Sequence, residues 1–161
     1  MGSVAGNGKR QPLIVVEDKK RIRSFQDLDV YQTAYKAMLN VHKEILPKLP
    51  KEENYDLKDQ LRRSTKAIPR LIAEGHSKRH QYRGFQKYID DALAESNETI
   101  VSLCQARDLY LSQVDSNLCN SLIDRYDKIS RQLYNLALSW DTFNKRNRKT
   151  INDSSCARLA E

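Results

Sequence analysis

Between residues 58 and 87, nine of thirty side chains are Lys or Arg, and only Asp59 and Glu74 oppose them. The nine are Lys58, Arg62, Arg63, Lys66, Arg70, Lys78, Arg79, Arg83 and Lys87, and they give this stretch a net +7, equal to that of the whole chain. The chemistry open to such residues is recognition of a polyanion. Arg forks two N–H donors onto a phosphate, Lys offers a point charge, and every phosphate neutralised releases counterions. Elsewhere the sign changes by segment: +4 over residues 1–23, −2 over 24–57, −5 over 88–144 and +3 over 145–161. Lys145, Arg146, Arg148 and Lys149 open the last of these and make an accessory basic tail. A field of one sign with like-signed ends is the electrostatic footprint of nucleic-acid binding, and Tyr82 within the stretch offers a stacking face.

Other chemistries lack their residues. His76 and His80 are four apart, as a metal pair on one helix face would be, but no third ligand is evident and Gly75 is expected to end the helix before them. The Glu-x-x-His pairs of di-iron bundles do not occur. Cys104, Cys119 and Cys156 match no zinc spacing and are odd in number, which argues against a disulfide framework and for a reducing, cytoplasmic setting. The Ser and His residues have no nucleophile context. The expectation is a protein that is not an enzyme and has no metal or cofactor. Asp91, Glu95 and Glu98 fall at i, i+4 and i+7, where they face solvent, pair with the preceding helix, or meet the basic surface of a neighbouring subunit.

The elements that must carry these residues are helices. Between residues 24 and 144 there are two glycines and three prolines, so breakers are scarce. Leu28, Tyr31, Tyr35, Met38, His42, Ile45 and Leu49 form one amphipathic stripe, with Ser24 or Asp27 as cap and an end at residues 47–50. Leu57, Leu61, Thr65, Ile68 and Ile72 form a second, which Gly75 should close and which Pro69 should kink or break. On that helix Arg62, Arg63, Lys66 and Arg70 spread over the side opposite the stripe, and Lys58 flanks it. A third stripe is Phe85, Ile89, Ala92, Ser96, Ile100, Leu103, Ala106 and Tyr110, whose small members admit close helix approach. The fourth, after Asp115 and Ser116, is Leu118, Leu122, Tyr126, Ile129, Leu133, Leu136, Trp140 and Phe143. The spacing predicts an all-α fold, an antiparallel four-helix bundle over residues 24–144. Residues 1–23 and 145–161 have no period and are expected to be disordered basic tails. The apolar run Leu13-Ile14-Val15-Val16 is too short for a signal core or a membrane span.

The segments Phe25-Gln26-Asp27-Leu28-Asp29-Val30-Tyr31-Gln32, Leu49-Pro50-Lys51-Glu52-Glu53 and Gln60-Leu61-Arg62-Arg63, then Ala67-Ile68-Pro69 and Ile72-Ala73-Glu74-Gly75, carry a family resemblance. The chain resembles the bacterial four-helix-bundle proteins encoded by intervening sequences within 23S ribosomal RNA genes. That family is similar in fold to the accessory variability determinant of diversity-generating retroelements. Where the family usually has Ser-Ile-Pro-Ala-Asn-Ile-Ala-Glu-Gly, this chain has Ala67, Arg70 and Leu71 for the Ser, Ala and Asn. The resemblance implies a homopentameric ring that binds structured RNA or DNA and, in the retroelement branch, partners a reverse transcriptase. The competing expectation is a protein-interaction scaffold whose basic face docks an acidic partner.

Overall fold

A computed structural model describes residues 22–81 and 83–158, the side chains of 143, 144 and 146–158 excepted. The expectations for residues 1–21 and for Tyr82 lie outside the described residues. The described residues contain four long helices and no strand: α1 (Asp29–Asn40), α2 (Leu57–Ser77), α3 (Gly84–Leu109) and α4 (Ser116–Arg158). No helix among them is long and apolar enough to cross a membrane.

Ser24 and Asp27 both serve as caps, though of a single 3-10 turn (Phe25–Asp27) that precedes α1. The Ser24 hydroxyl accepts from Gln26 N–H, and the Asp27 carboxylate accepts from the N–H groups of Arg23 and Ser24, both at 2.9 Å. After Asn40 the helix widens into one π turn (Val41–Ile45), where Leu46 N–H reaches back five residues to Val41 C=O. The wider turn keeps Val41, Ile45 and Leu46 all on the core side.

All five members of the second stripe are buried on α2. Pro69 does not break that helix; it lies buried within it, and the chain continues as helix for two more turns. Nor does Gly75 close it, since α2 runs to Ser77 and Lys78 caps it. Gly75 has a different physical role. A Cβ there would lie 3.1 Å from Tyr88 Cβ and 3.4 Å from the Phe85 carbonyl oxygen, so its bare backbone is what lets the start of α3 seat against α2.

On α3, Phe85, Ile89, Ala92, Ser96, Leu103 and Ala106 are buried, while Ile100 and Tyr110 pack partly against the core. On α4 the fully buried residues include Cys119, Leu122, Tyr126, Ile129 and Leu133, and Asp115 accepts from the N–H of Asn117 at 2.9 Å. The helix does not stop at 144. It runs to Arg158, through a stretch with no Gly or Pro to end it, so 145–158 is helical rather than a disordered tail, although it has no apolar period.

Each helix packs on two others, in the order α1, α2, α3, α4 and back to α1. Between α3 and α4, Phe85 meets Trp140 with ring centroids 4.5 Å apart, Ser130 Oγ donates to Ser96 Oγ at 2.9 Å, and Arg107 Nη1 donates to Asn120 Oδ1 at 2.8 Å. Numbers rise on one helix as they fall on the other. Between α2 and α3 the Ser64 and Thr99 hydroxyls are 2.9 Å apart, again with small residues at the contact. Fully buried Ile68, Ile72, Ile89, Leu103, Leu122 and Leu133 fill the space enclosed. Each such side chain contributes roughly 1.5–3 kcal/mol by leaving water.

Candidate nucleic-acid interface

The polar side of α2 is a row of cations because its opposite side is spent on the core. Arg63, Lys66 and Arg70 are exposed, and Lys58 and Arg62 are half-buried at the edges. From Arg62 to Arg70 the row rises about 12 Å along the axis. Both acidic residues of the stretch are engaged with it. Asp59 stands 3.9 Å from Arg62 and 3.6 Å from Arg63, and Glu74 stands 3.8 Å from Arg70. These are long, solvent-washed pairs worth about 0–1 kcal/mol each, and three arginines share two carboxylates. Arg70, which replaces a family Ala, adds to the row, whereas Leu71, which replaces a family Asn, packs partly against the core.

One neighbour of the row comes from another helix. His42 on the π turn lies with Nε2 3.2 Å from Thr65 Oγ1, and the Thr65 hydroxyl donates to Leu61 C=O at 2.5 Å. With its proton so used, Thr65 accepts from His42 Nε2–H, so the neutral ring carries its proton on Nε2. Partial burial and the charges of Lys66 and Arg62 push the His42 pKa below the usual imidazole value. Periodicity placed His42 on the first apolar stripe; its position beside the cations is a tertiary fact.

Lys78, Arg79, Arg83 and Lys87 lie at the far end of α2, in the turn to α3 and its first turn, and all four are exposed. Arg79 Nη1 donates to the His76 carbonyl at 2.7 Å. His76 is still helical but His80 lies past the end of α2, so the two do not share a helix face. Arg83 takes the left-handed conformation, φ 58°, directly before α3, and Gly84 follows where a Cβ would meet the Lys78 carbonyl oxygen at 2.7 Å. The turn is therefore compressed against the end of α2, and only a residue without a side chain fits at 84.

Here the structure joins two regions that are far apart in the chain. Arg83 and Lys87 line a cleft of about 690 Å³ together with Lys145 of α4, and the same cleft is lined by Gln86, Asp90, Asp91 and Asp141. Asp141 holds Lys145 at 2.6 Å. Partial burial, and then the neighbouring Asp91, raise the Asp90 carboxyl above its usual range. Of the accessory basic residues only Lys145 has a described side chain; Arg146, Arg148 and Lys149 share its helix. Asp90 and Asp141 are the site residues that sequence reasoning missed. The only available signal was spacing, Asp90 three after Lys87 and Asp141 four before Lys145.

Asp91, Glu95 and Glu98 form no ion pair among the described residues, but Glu95 lies in the field of Arg70 and Arg63 of its own chain. Burial and the neighbouring Glu98 still raise its carboxyl on balance. The basic row is thus bordered by an acidic line on α3.

Residues 26–135 match a family model described as 23S rRNA-intervening sequence protein, a span that takes in α1, α2, α3 and the first half of α4. No curated protein matches the chain.

Proposed function

Because the chain belongs to the 23S rRNA-intervening sequence protein family, we propose that it is a non-enzymatic, cytoplasmic, antiparallel four-helix bundle that binds nucleic acid. The observation that carries the reading is the cation row of α2: Arg62, Arg63, Lys66 and Arg70 lie on one side of an unbroken helix, with two carboxylates at long range as their only counter-charge within that stretch. Phosphate oxygens would displace such loosely held carboxylates at little cost. Lys58, Lys78, Arg79, Arg83, Lys87 and the cations that begin at Lys145 extend the surface.

The same reading has the protein act as a homo-oligomer, a pentameric ring, and as accessory to a retroelement reverse transcriptase. Apolar side chains left in water support subunit contact, among them Tyr134 and Leu138 on one side of α4, Leu109 at the end of α3 and Leu111 just after it.

The test is charge reversal of the row. With Z phosphate contacts on a single strand, log K falls against log salt with a slope of about −0.7Z, so R62E/R63E/R70E should weaken binding at least tenfold and flatten the slope by about 2. Unchanged affinity and slope would refute the assignment. Retention of an acidic protein with no response to nucleic acid would replace it with the scaffold role.

A further inference from the structure

The cleft at the end of the bundle is charged differently from the α2 row. Lys87, Asp90, Asp91, Asp141 and Lys145 all line it, yet the only ion pair among these five is Asp141–Lys145. Lys87 precedes Asp90 by three residues and Asp91 by four, the spacings at which helical ion pairs form, and neither pair is made. Charges of both signs are therefore left facing one space.

A bare phosphate would meet Lys87 but be repelled by Asp90 and Asp91, and a simple cation would meet the reverse. A ligand satisfies both only if it carries an anionic group and, a few bonds away, hydrogen-bond donors. Ionised carboxylates accept and cannot donate, so the donors must be the ligand's. A ribonucleotide has this pattern, a phosphate beside a ribose whose 2′-hydroxyl donates, and carboxylates are an established partner of that hydroxyl. The cleft is of the right scale, since its volume of about 690 Å³ lies within the roughly 300–1,000 Å³ of small-molecule sites.

We infer that this cleft takes one ribonucleotide unit of a bound strand, with its phosphate on Lys87 and Lys145 and its 2′-hydroxyl donating to Asp90 or Asp91. The protein accordingly prefers RNA to DNA. This rests on the nucleic-acid reading above and adds to it what the α2 row cannot supply, because a row of cations sees only phosphates. The phosphate competes with Asp141 for Lys145.

The experiment compares a short single-stranded oligoribonucleotide with its 2′-deoxy counterpart, uracil retained, by fluorescence anisotropy on the full chain at several salt concentrations. The ribo strand should bind about tenfold tighter, the scale of a lost hydrogen bond to a charged acceptor. The salt slopes of the two strands should be the same, because their phosphates are. In D90A/D91A the preference should collapse toward one while the deoxy strand binds as well as before or better. Both aspartates are exposed on α3, and the helicity of the variant, read by circular dichroism, should be unchanged. Equal affinity for the two strands in the wild type, or a preference that survives D90A/D91A, overturns the inference and leaves the α2 assignment standing. Failure to bind either strand overturns the nucleic-acid reading and this inference with it.

Discussion

The α2 row and the cleft at the end of the bundle draw on one basic stretch but are different electrostatic devices. Along α2 the carboxylates are the minority, and both lie beside arginines on the same helix face. In the cleft three cations meet three aspartates, and the residues come from α3, the turn before it and α4. A row with cations in excess attracts any polyanion and has little with which to tell one from another. A mixed-sign cleft gives up attraction and gains the means to discriminate. The difference teaches that a net charge of +7 over residues 58–87 is a sum over two surfaces of unlike electrostatic character.

The largest disturbance of this comparison should come from Gly75, where the two surfaces are held in register. A side chain there must push Tyr88 and the Phe85 carbonyl away from α2. Gly75→Leu should destabilise the fold by about 1–3 kcal/mol, the usual cost of overpacking. A denaturant titration checks it, and an unchanged midpoint would mean that the contact between α2 and α3 is looser than described.

A smaller effect separates the devices directly. Asp59→Asn frees Arg62 and Arg63, and should raise affinity for ribo and deoxy strands alike. Asp141→Asn frees Lys145, and should also raise affinity, with the salt slope steeper by about 0.7 if one more phosphate is then bound on a single strand. Each gain should be no more than about fivefold, since exposed pairs are worth roughly 0–1 kcal/mol. A loss of affinity in either variant would show that the aspartate positions the cation rather than competing for it.

Much of this architecture was legible because a helix writes its buried side into the sequence at a period of 3.6. Leu57, Leu61, Thr65, Ile68 and Ile72 are buried as the period requires, and the cations opposite them fall into line by the same geometry. What was not legible depends on partners. Gly75 has the look of a helix stop, and only the nearness of Tyr88 shows it to be a packing residue. Cys119 and Ala137 were passed over for their larger neighbours Leu118 and Leu136, although the small residues are the ones buried at the helix contact. The span 145–158 has no apolar rhythm, yet it continues a helix already nucleated, where adding a residue costs far less than starting one. The cleft was invisible because it is made by tertiary placement, with Lys87 on α3 and Lys145 on α4.

The smallest expected effect is a pH dependence at the edge of the row. Partial burial, Lys66 and Arg62 hold the folded-state pKa of His42 below the ordinary 6.5. The unfolded chain therefore takes up its proton first, and the stability His42 contributes is present above 6.5 and lost as pH falls through the interval below it. His76 is lowered in the same direction, by burial and then Arg79, against the opposing Asp27. The denaturation midpoint should decline from about pH 7.5 to about pH 5.5. His42→Gln, which can still donate to Thr65, should remove part of that decline while leaving the neutral-pH midpoint nearly unchanged. An undiminished decline in this variant would place the effect on His76 or elsewhere.

That α2 passes Pro69 without breaking makes the molecule a ruler. From Arg70, the last cation of the row, to Ser77 the helix rises about 10 Å, and that rigid segment lies between the row and the turn that leads to the cleft. A strand too short to bridge it can occupy one surface or the other and gains affinity only phosphate by phosphate. Once a strand is long enough, its second engagement becomes intramolecular, at an effective concentration set by the stiffness of the strand itself. Affinity then climbs with length in a step rather than a slope, and the position of that step is fixed by the number of helical residues between the two surfaces.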